Sequence, residues 1–338
     1  MKIRNIFWIT ICSLLWLSCS KKTAIEEIEA SIPKEPTEEV TPNPKPIFEK
    51  RQVRLEMREY YTDQNIDENY FLGSIWHLKD TIQGLRLESL KKIAKDTKFH
   101  ILSYNDPSID IGFFEPNYNS ILTYANKFKK SGQFSSMNFS KTTFADYAEI
   151  QGYLGYSKDV QQVLSLVRHS DSTTVQKKYN TLLYNNLNKL TLFVDYLEYD
   201  EAYPDQVITP LKKEGYNPYL LASVTYGSQL ILMGESDSTR VSLNLALEKL
   251  LDSKPLDNTD LKVLERSRVL FYYRGGGKES FVQYPKGAKA VQSTVTELLA
   301  MIKQTENIFN YPLKYSFMSM ADYSVLSTYN IYNMHIKK

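Results

Sequence analysis

From Tyr219 to Met233 the chain runs through Val, Thr, Tyr, Leu and Ile with a single glycine, a composition that predicts a strand. The segment that follows satisfies two periods at once. At period two, Val241, Leu243, Leu245 and Leu247 share a face, with Ser242, Asn244, Ala246 and Glu248 opposite. At the helical period Leu243, Ala246, Leu247, Leu250 and Leu251 form an equally good stripe. Periodicity leaves both open. Elsewhere, Leu87, Leu90, Ile93 and Ala94 predict a helix, as do Ile121, Leu122, Tyr124, Ala125 and Phe128. Val160, Val163, Leu164 and Val167 give a helical patch in the mostly polar stretch 142–186. Ala288, Val291, Val295, Leu298, Leu299 and Ile302 make the clearest amphipathic helix. Leu190, Leu192, Val194 and Tyr196 alternate as a strand that Tyr203-Pro204-Asp205 ends, and the tail from Tyr311 to Lys338 is tyrosine-rich and strand-like. Asn105-Asp106-Pro107 and Glu115-Pro116-Asn117 are turn material. Long strands with helices between them, in no regular βαβ order, indicate an α+β architecture whose folding begins near Val53.

The N-terminus is of a different kind. Lys2 and Arg4 precede an apolar run from Ile6 to Leu17 and then Ser18-Cys19, so residues 1–19 read as a signal peptide too short for a membrane span. Ser18-Cys19-Ser20 resembles a bacterial lipoprotein cleavage site with Cys19 as the lipidated residue, although Trp16 stands where an aliphatic residue is usual. An ordinary secretory peptide is the alternative. Residues 20–50 carry Pro33, Pro36, Pro42, Pro44 and Pro46 among Glu, Lys and Thr, which suits an extended tether. The folded body is then 51–338. The expected location is outside the cytoplasm: lipid-anchored to the bacterial envelope, at the outer membrane or cell surface, or released from it.

The totals narrow the function classes. Of 338 residues 42% are hydrophobic and 24% charged, ordinary for a globular core, and the net charge of +2 with no basic cluster gives no expectation of nucleic acid. Tyrosine is abundant at 25 residues, which suits half-buried strands. Cys12 and Cys19 both lie in the leader, leaving the body without a thiolate or a disulfide. His77, His100, His169 and His335 are not at metal-ligand spacing. Ser89-Leu90-Lys91-Lys92 matches S-x-x-K without its partner elements, and Asp106 and Asp110 flank a turn. Gly275-Gly276-Gly277-Lys278-Glu279-Ser280 imitates a phosphate loop, but Tyr272 and Glu279 occupy positions that the loop gives to Gly and to Ser or Thr. No enzymatic activity, cofactor or metal is expected. Gly275, Gly276 and Gly277 follow the strand Val269 to Tyr273, either as a loose hairpin turn or as a swivel releasing the next segment from the strand's edge.

Four local sequences, in order from about Asp67 to Val325, resemble the cholesterol-dependent cytolysins of the MACPF/CDC superfamily. Ala222-Ser223-Val224-Thr225-Tyr226-Gly227-Ser228 resembles that family's S-(S/N)-V-A-Y-G-R strand, with Ser223, Val224, Tyr226 and Gly227 in place. Asn69-Tyr70-Phe71-Leu72-Gly73-Ser74 is similar to an early Y-P-G-A segment, Phe139-Ser140-Lys141 to a Y-S-K entry to the first hairpin region, and Val269 to Gly276 to a strand ending in paired glycines. The resemblance implies an elongated MACPF/CDC-like body of discontinuous domains 1–3: a twisted antiparallel sheet flanked by two helical clusters, near 142–186 and 238–267. It further implies that each cluster unfurls into a transmembrane hairpin on oligomerisation. In the second, Val241, Leu243, Leu245 and Leu247, then Leu261, Val263, Ser267, Val269 and Phe271, would supply one face broken by Glu265, with the tip at 252–258. In the first, Asp146, Glu149, Lys158, Asp159, Arg168 and Asp171 interrupt any alternation, and Gly152 and Gly155 weaken strand formation. Phe139 matches one member of an aromatic pair that helps set inter-subunit register in the family, while Val269 stands at the other.

No counterpart of the family's sterol-binding domain 4 is expected, and hence no direct cholesterol binding. The resulting expectation is a lipid-anchored pore-forming protein acting on a lipid membrane, as a homo-oligomer or together with a longer cytolysin-like protein that supplies membrane recognition. The rival is a non-lytic surface or periplasmic lipoprotein that keeps the fold for binding or structure.

Overall fold

The computed structural model describes residues 48–61, 69–79, 86–90, 99–103, 113–128, 136–170, 172–195, 205–275, 279–303 and 308–337. In chain order the first half holds β1 (Phe48–Met57), β2 (Tyr60–Tyr61), β3 (Ile75–Lys79), β4 (Arg86–Ser89), β5 (Phe99–Ser103), β6 (Phe113–Phe114) and α1 (Tyr118–Phe128). Then come β7 (Ser136–Thr142), α2 (Gln151–Leu154), α3 (Asp159–Val167), β8 (Tyr179–Val194), α4 (Asp205–Lys213) and β9 (Pro218–Ser236). The chain continues with α5 (Arg240–Leu251), α6 (Asn258–Glu265), β10 (Ser267–Gly275), β11 (Phe281–Gln283), α7 (Ala288–Lys303), β12 (Lys314–Ser319) and β13 (Thr328–Lys337).

Two long strands organise these elements. β8 and β9 pair antiparallel from Tyr179↔Ser236 to Phe193↔Ser223. Around their upper half, β7 flanks β8 from Thr142↔Leu182 to Ser136↔Asn188, and β10 flanks β9 from Ser267↔Ser236 to Gly275↔Ser228. β11 lies on the outer side of β10. Around the lower half, β5 meets the end of β8, while β3 and β12 meet the start of β9. β1 and β13 form a separate two-stranded ribbon.

The halves meet at a bulge. Pairing between β8 and β9 shifts between Asn188 and Leu190, so Lys189 is the extra residue, as in a β-bulge. Gly227 faces it, and a Cβ there would collide with the Leu187 carbonyl oxygen, which explains the glycine. The shift changes which face the even-numbered side chains of β8 address. Leu182 and Tyr184 pack into the core under α2 and α3, whereas Leu190, Leu192 and Val194 join the lower core with Val224 and Tyr226.

Adjacent residues of the upper strands build two cores on opposite faces. Leu182, Ile231, Met233, Leu270 and Tyr272 meet Val160, Val163 and Val167 of α3. Leu183, Leu232, Val269 and Phe271 meet Leu243, Ala246 and Leu247 of α5, Val263 and Leu264 of α6, and Val291, Val295 and Leu298 of α7.

Several expectations need correction. Strand β1 begins at Phe48, inside the stretch read as tether. Residues 179–186, drawn into the first helical cluster, are strand. Their asparagines look unlike a strand, yet Asn186 is buried opposite Gln229. Leu87 lies in strand β4, paired with Leu78, and the helix predicted around it is not formed at 86–90; tertiary pairing overrides the local pattern. Ile93, Ala94, Asn105-Asp106-Pro107, Asp110, Asp171, Tyr196, Tyr203-Pro204 and all of 1–47, with Cys19, lie outside the described residues.

Candidate functional site

Each helical cluster interrupts a hairpin whose two strands are already paired. The β9–β10 ladder stops at Ser236↔Ser267, and the chain between is α5 and α6. The β7–β8 ladder reaches Thr142↔Leu182, and the chain between carries α2 and α3. Both strands of each hairpin therefore end pointing into a helical insert.

Local chemistry explains why the second insert is helical. Thr239 accepts from the Ser242 N–H at 3.2 Å and starts α5. Asp257 accepts from the N–H groups of Thr259 (2.8 Å) and Asp260 (2.9 Å) and starts α6. Those backbone bonds, with Lys249 at 3.1 Å, hold the Asp257 carboxyl down at about 2. The doubly periodic segment has thus taken the helical period. Leu243 and Leu247 are buried, but Val241 is 68% and Leu245 51% exposed. Val263 is buried and Leu261 half-buried. Glu265, read as a flaw in an apolar face, accepts from the Ala288 N–H at 3.0 Å and caps α7, a favourable place for an acid.

The first insert is held by buried carboxylates. Asp146 accepts from the Ala148 N–H (2.9 Å), the Thr173 hydroxyl (2.5 Å) and the His335 N–H of β13 (2.7 Å), with His335 Nδ1 at 3.2 Å. Glu149 accepts from the Ala145 and Asp146 N–H groups, and its own burial raises its pKa. Asp159, at the start of α3, accepts from the Tyr272 hydroxyl (2.8 Å) and the Ser280 hydroxyl (2.6 Å), with Arg274 Nη1 at 3.6 Å. Glu235 of β9 accepts from the Gln176 N–H (2.6 Å), the Lys177 N–H (2.9 Å) and the Tyr284 hydroxyl (3.2 Å). Burial pushes the Tyr147 and Tyr272 hydroxyls up, and that of Tyr284 to about 12, so all three stay protonated at neutral pH. Sequence reasoning treated Asp146, Glu149 and Asp159 as interruptions and missed Glu235. The available signal was an acid ending an otherwise apolar strand.

The remaining predicted residues fall at strand edges. Phe139 is 49% exposed on β7, opposite Asn185. Val269 is buried on β10 beneath the second cluster, so the two stand on opposite outer strands of the β7-β8-β9-β10 group. The Val269 N–H donates to the Pro285 carbonyl at 3.2 Å, because 281–286 covers the β10 edge. Gly275 ends β10 opposite Ser228, while Gly276 and Gly277 lie outside the described residues. Val224 and Tyr226 are buried in the lower core, Ser223 pairs with Ser316 of β12, and Gly227 sits at the bulge. The Gly73 N–H of the Asn69–Ser74 turn donates to the Leu221 carbonyl at 2.9 Å, docking it on β9.

Among the described residues no helix is long and apolar enough to cross a membrane, which leaves spanning by strands untouched. Among them, too, no group of three His, Cys, Asp or Glu is placed to hold a metal.

No family model and no curated protein matches the sequence. Solved structures do. Wild-type pneumolysin superposes with a TM-score of 0.59 at 15% identity, over 86% of this chain and 65% of its own. Listeriolysin O gives 0.55 at 11% identity, over 86% and 64%. Suilysin from Streptococcus suis gives 0.54 at 13% identity, over 86% and 66%. This chain spans about 65% of the length of pneumolysin. An antiparallel sheet carrying a helical insert on each face is the fold this chain shares with those cholesterol-dependent cytolysins.

Proposed function

We propose that the protein is a pore-forming protein of cytolysin type, exported and held at the envelope by a lipid on Cys19. In this reading it oligomerises edge to edge, alone or with a longer cytolysin-like partner that supplies membrane recognition, and converts both inserts into transmembrane hairpins. The observation that carries it is the exposure of Val241 and Leu245 on α5. A packed helix leaves these two apolar side chains in water, whereas a strand places them with Leu243 and Leu247 on one face. Residues 237–266 are long enough for two strands of ~9–11 residues and a tip.

The ladder register adds a condition. Continued unchanged from Ser236↔Ser267, it sets Val241 opposite Lys262 and Leu243 opposite Asp260, leaving Leu261 and Val263 on the other face. One extra residue on the β9 side, within 237–240, pairs Val241 with Val263 and Leu243 with Leu261. All four then continue the face of Val269 and Phe271. A bulge at the root of the hairpin is therefore part of the reading.

The test is a tether between α5 and β9. A Cβ at Gly234 would lie 3.4 Å from Leu243 Cδ2, so Gly234→Cys with Leu243→Cys places two thiols in reach. The reduced protein is expected to release dye from liposomes, with or without the partner, and the oxidised protein is expected not to. Equal release by both would refute the conversion. No release by the untethered protein under any condition would refute pore formation itself.

A further inference from the structure

We infer that the segment covering the β10 edge and the first helical cluster share a fastening at the buried carboxylate Asp159 and leave the sheet as a single unit. Ser280 and Tyr284 flank β11, the strand of the covering segment. Both turn their hydroxyls away from solvent into the first cluster's attachment. Ser280 Oγ donates to Asp159 Oδ2 at 2.6 Å, and Tyr272 of β10 donates to the same oxygen at 2.8 Å. The Asp159 side chain is 1% exposed. At the far end of β11, the Tyr284 hydroxyl donates to Glu235 Oε1 at 3.2 Å and lies 3.3 Å from the Tyr147 hydroxyl of the first cluster. The same Glu235 carboxylate accepts the Gln176 and Lys177 N–H groups, which lead the chain out of that cluster into β8.

An open groove of about 470 Å³ at the end of β11 is lined by Leu166 of α3, Gln283, Tyr284, Lys286 and Ala290 of α7. Ser280 and Tyr284 are fastened through groups the first cluster also uses. The second cluster is joined differently: Glu265 reaches Ala288, beyond the covering segment.

Withdrawing Ser280 and Tyr284 leaves Asp159 and Glu235 buried with fewer donors, and withdrawing α3, which carries Asp159, strips the Ser280 and Tyr272 hydroxyls of their acceptor. A buried acceptor that loses its donors is unfavourable, so each departure makes the other easier. Coupling of this kind is reciprocal. Its meaning rests on the proposed function, in which a bare β10 edge accepts a neighbour. The coupling would tie that docking to release of the first cluster in the same subunit.

Hydrogen exchange on the full chain tests it without a membrane. Asp159→Asn is expected to speed exchange of amides 281–286 by about tenfold or more, the effect of weakening a hydrogen bond to a charged group. Ser280→Ala, a milder change outside the cluster, is expected to speed α3 comparably, and α5 should be unchanged in both. If Asp159→Asn fails to fold, Ser280→Ala alone decides through α3. Acceleration confined to the mutated element, or none in either, overturns the coupling. Exchange reads the resting fold and dye release reads the membrane, so the coupling and the pore-forming reading fail separately.

Discussion

The two helical clusters interrupt the same sheet in the same way and each packs an apolar core against it, but the first is also tied to neighbouring strands by buried carboxylates. The first thus adds discrete polar points to its apolar core, with Asp146, Asp159 and Glu235 each gathering two or more donors. The second is fixed chiefly by hydrocarbon, with Leu243, Ala246, Leu247 and Leu264 nearly inaccessible to water. Hydrogen bonds are directional and lost within a fraction of an ångström, whereas apolar contact fades gradually with exposed area. The sheet faces left behind differ as well. Beneath the first cluster Glu235, Arg268, Arg274 and Gln229, which water can satisfy, lie among the apolar Leu182, Ile231, Met233 and Leu270, which it cannot. Beneath the second lie Leu183, Leu232, Val269 and Phe271, which water cannot. The first departure must break specific bonds as well as uncover hydrocarbon. The second needs another apolar environment to move into.

Three substitutions sharpen this contrast, from the largest effect on stability to the smallest. Leu247→Ala, within the hydrocarbon attachment, is expected to cost about 2–5 kcal/mol in chemical denaturation, from lost transfer energy plus a cavity. A cost below about 1 kcal/mol would show the second cluster to be loosely packed. Asp146→Ala leaves the Ala148 and His335 N–H groups without their acceptor and is expected to cost about 2–3 kcal/mol. Its signature is local: exchange should quicken at 146–167 and in β13 before the second cluster responds, and uniform loosening of both clusters would erase the contrast. Leu245→Asn sits at an exposed position and should change stability by about 0.5 kcal/mol or less. Dye release should nevertheless fall at least tenfold, because the strand form would place an amide in lipid. Unchanged release would remove Leu245 from any lipid-facing surface.

Much of the sheet's second half was legible because its strands are rich in β-branched and aromatic residues, and β9 runs from Pro218 to Ser236 around the predicted stretch. The clusters were less so. Nothing in Val241 to Leu247 separates helix from strand; Thr239 and the pair Asp257 and Asp260 do, as caps, and they were available in the sequence. Strand β8 was recognised in its lower half, where Leu190, Leu192 and Val194 alternate. Its upper half escaped because Asn185, Asn186 and Asn188 are poor strand formers that the sheet accommodates by tertiary contact. Asp146, Glu149 and Asp159, three of the charges counted against the first cluster, are among its fastenings. A carboxylate's sequence position does not reveal that donors from β10, β13 and the covering segment converge on it.

The bulge at Lys189 has a consequence that can be put as a matter of phase. Alternation along a strand carries one bit of information, which side each parity faces, and one inserted residue inverts it. Leu182 and Leu192 have the same parity and serve cores on opposite sides because that inversion lies between them. Deleting residue 189 would restore the phase and turn the leucines of one half outward, a far larger change than any single substitution there. The upper hairpins, where rearrangement is proposed, can therefore shift phase at their own roots without rewriting the lower half, which keeps a separate clock.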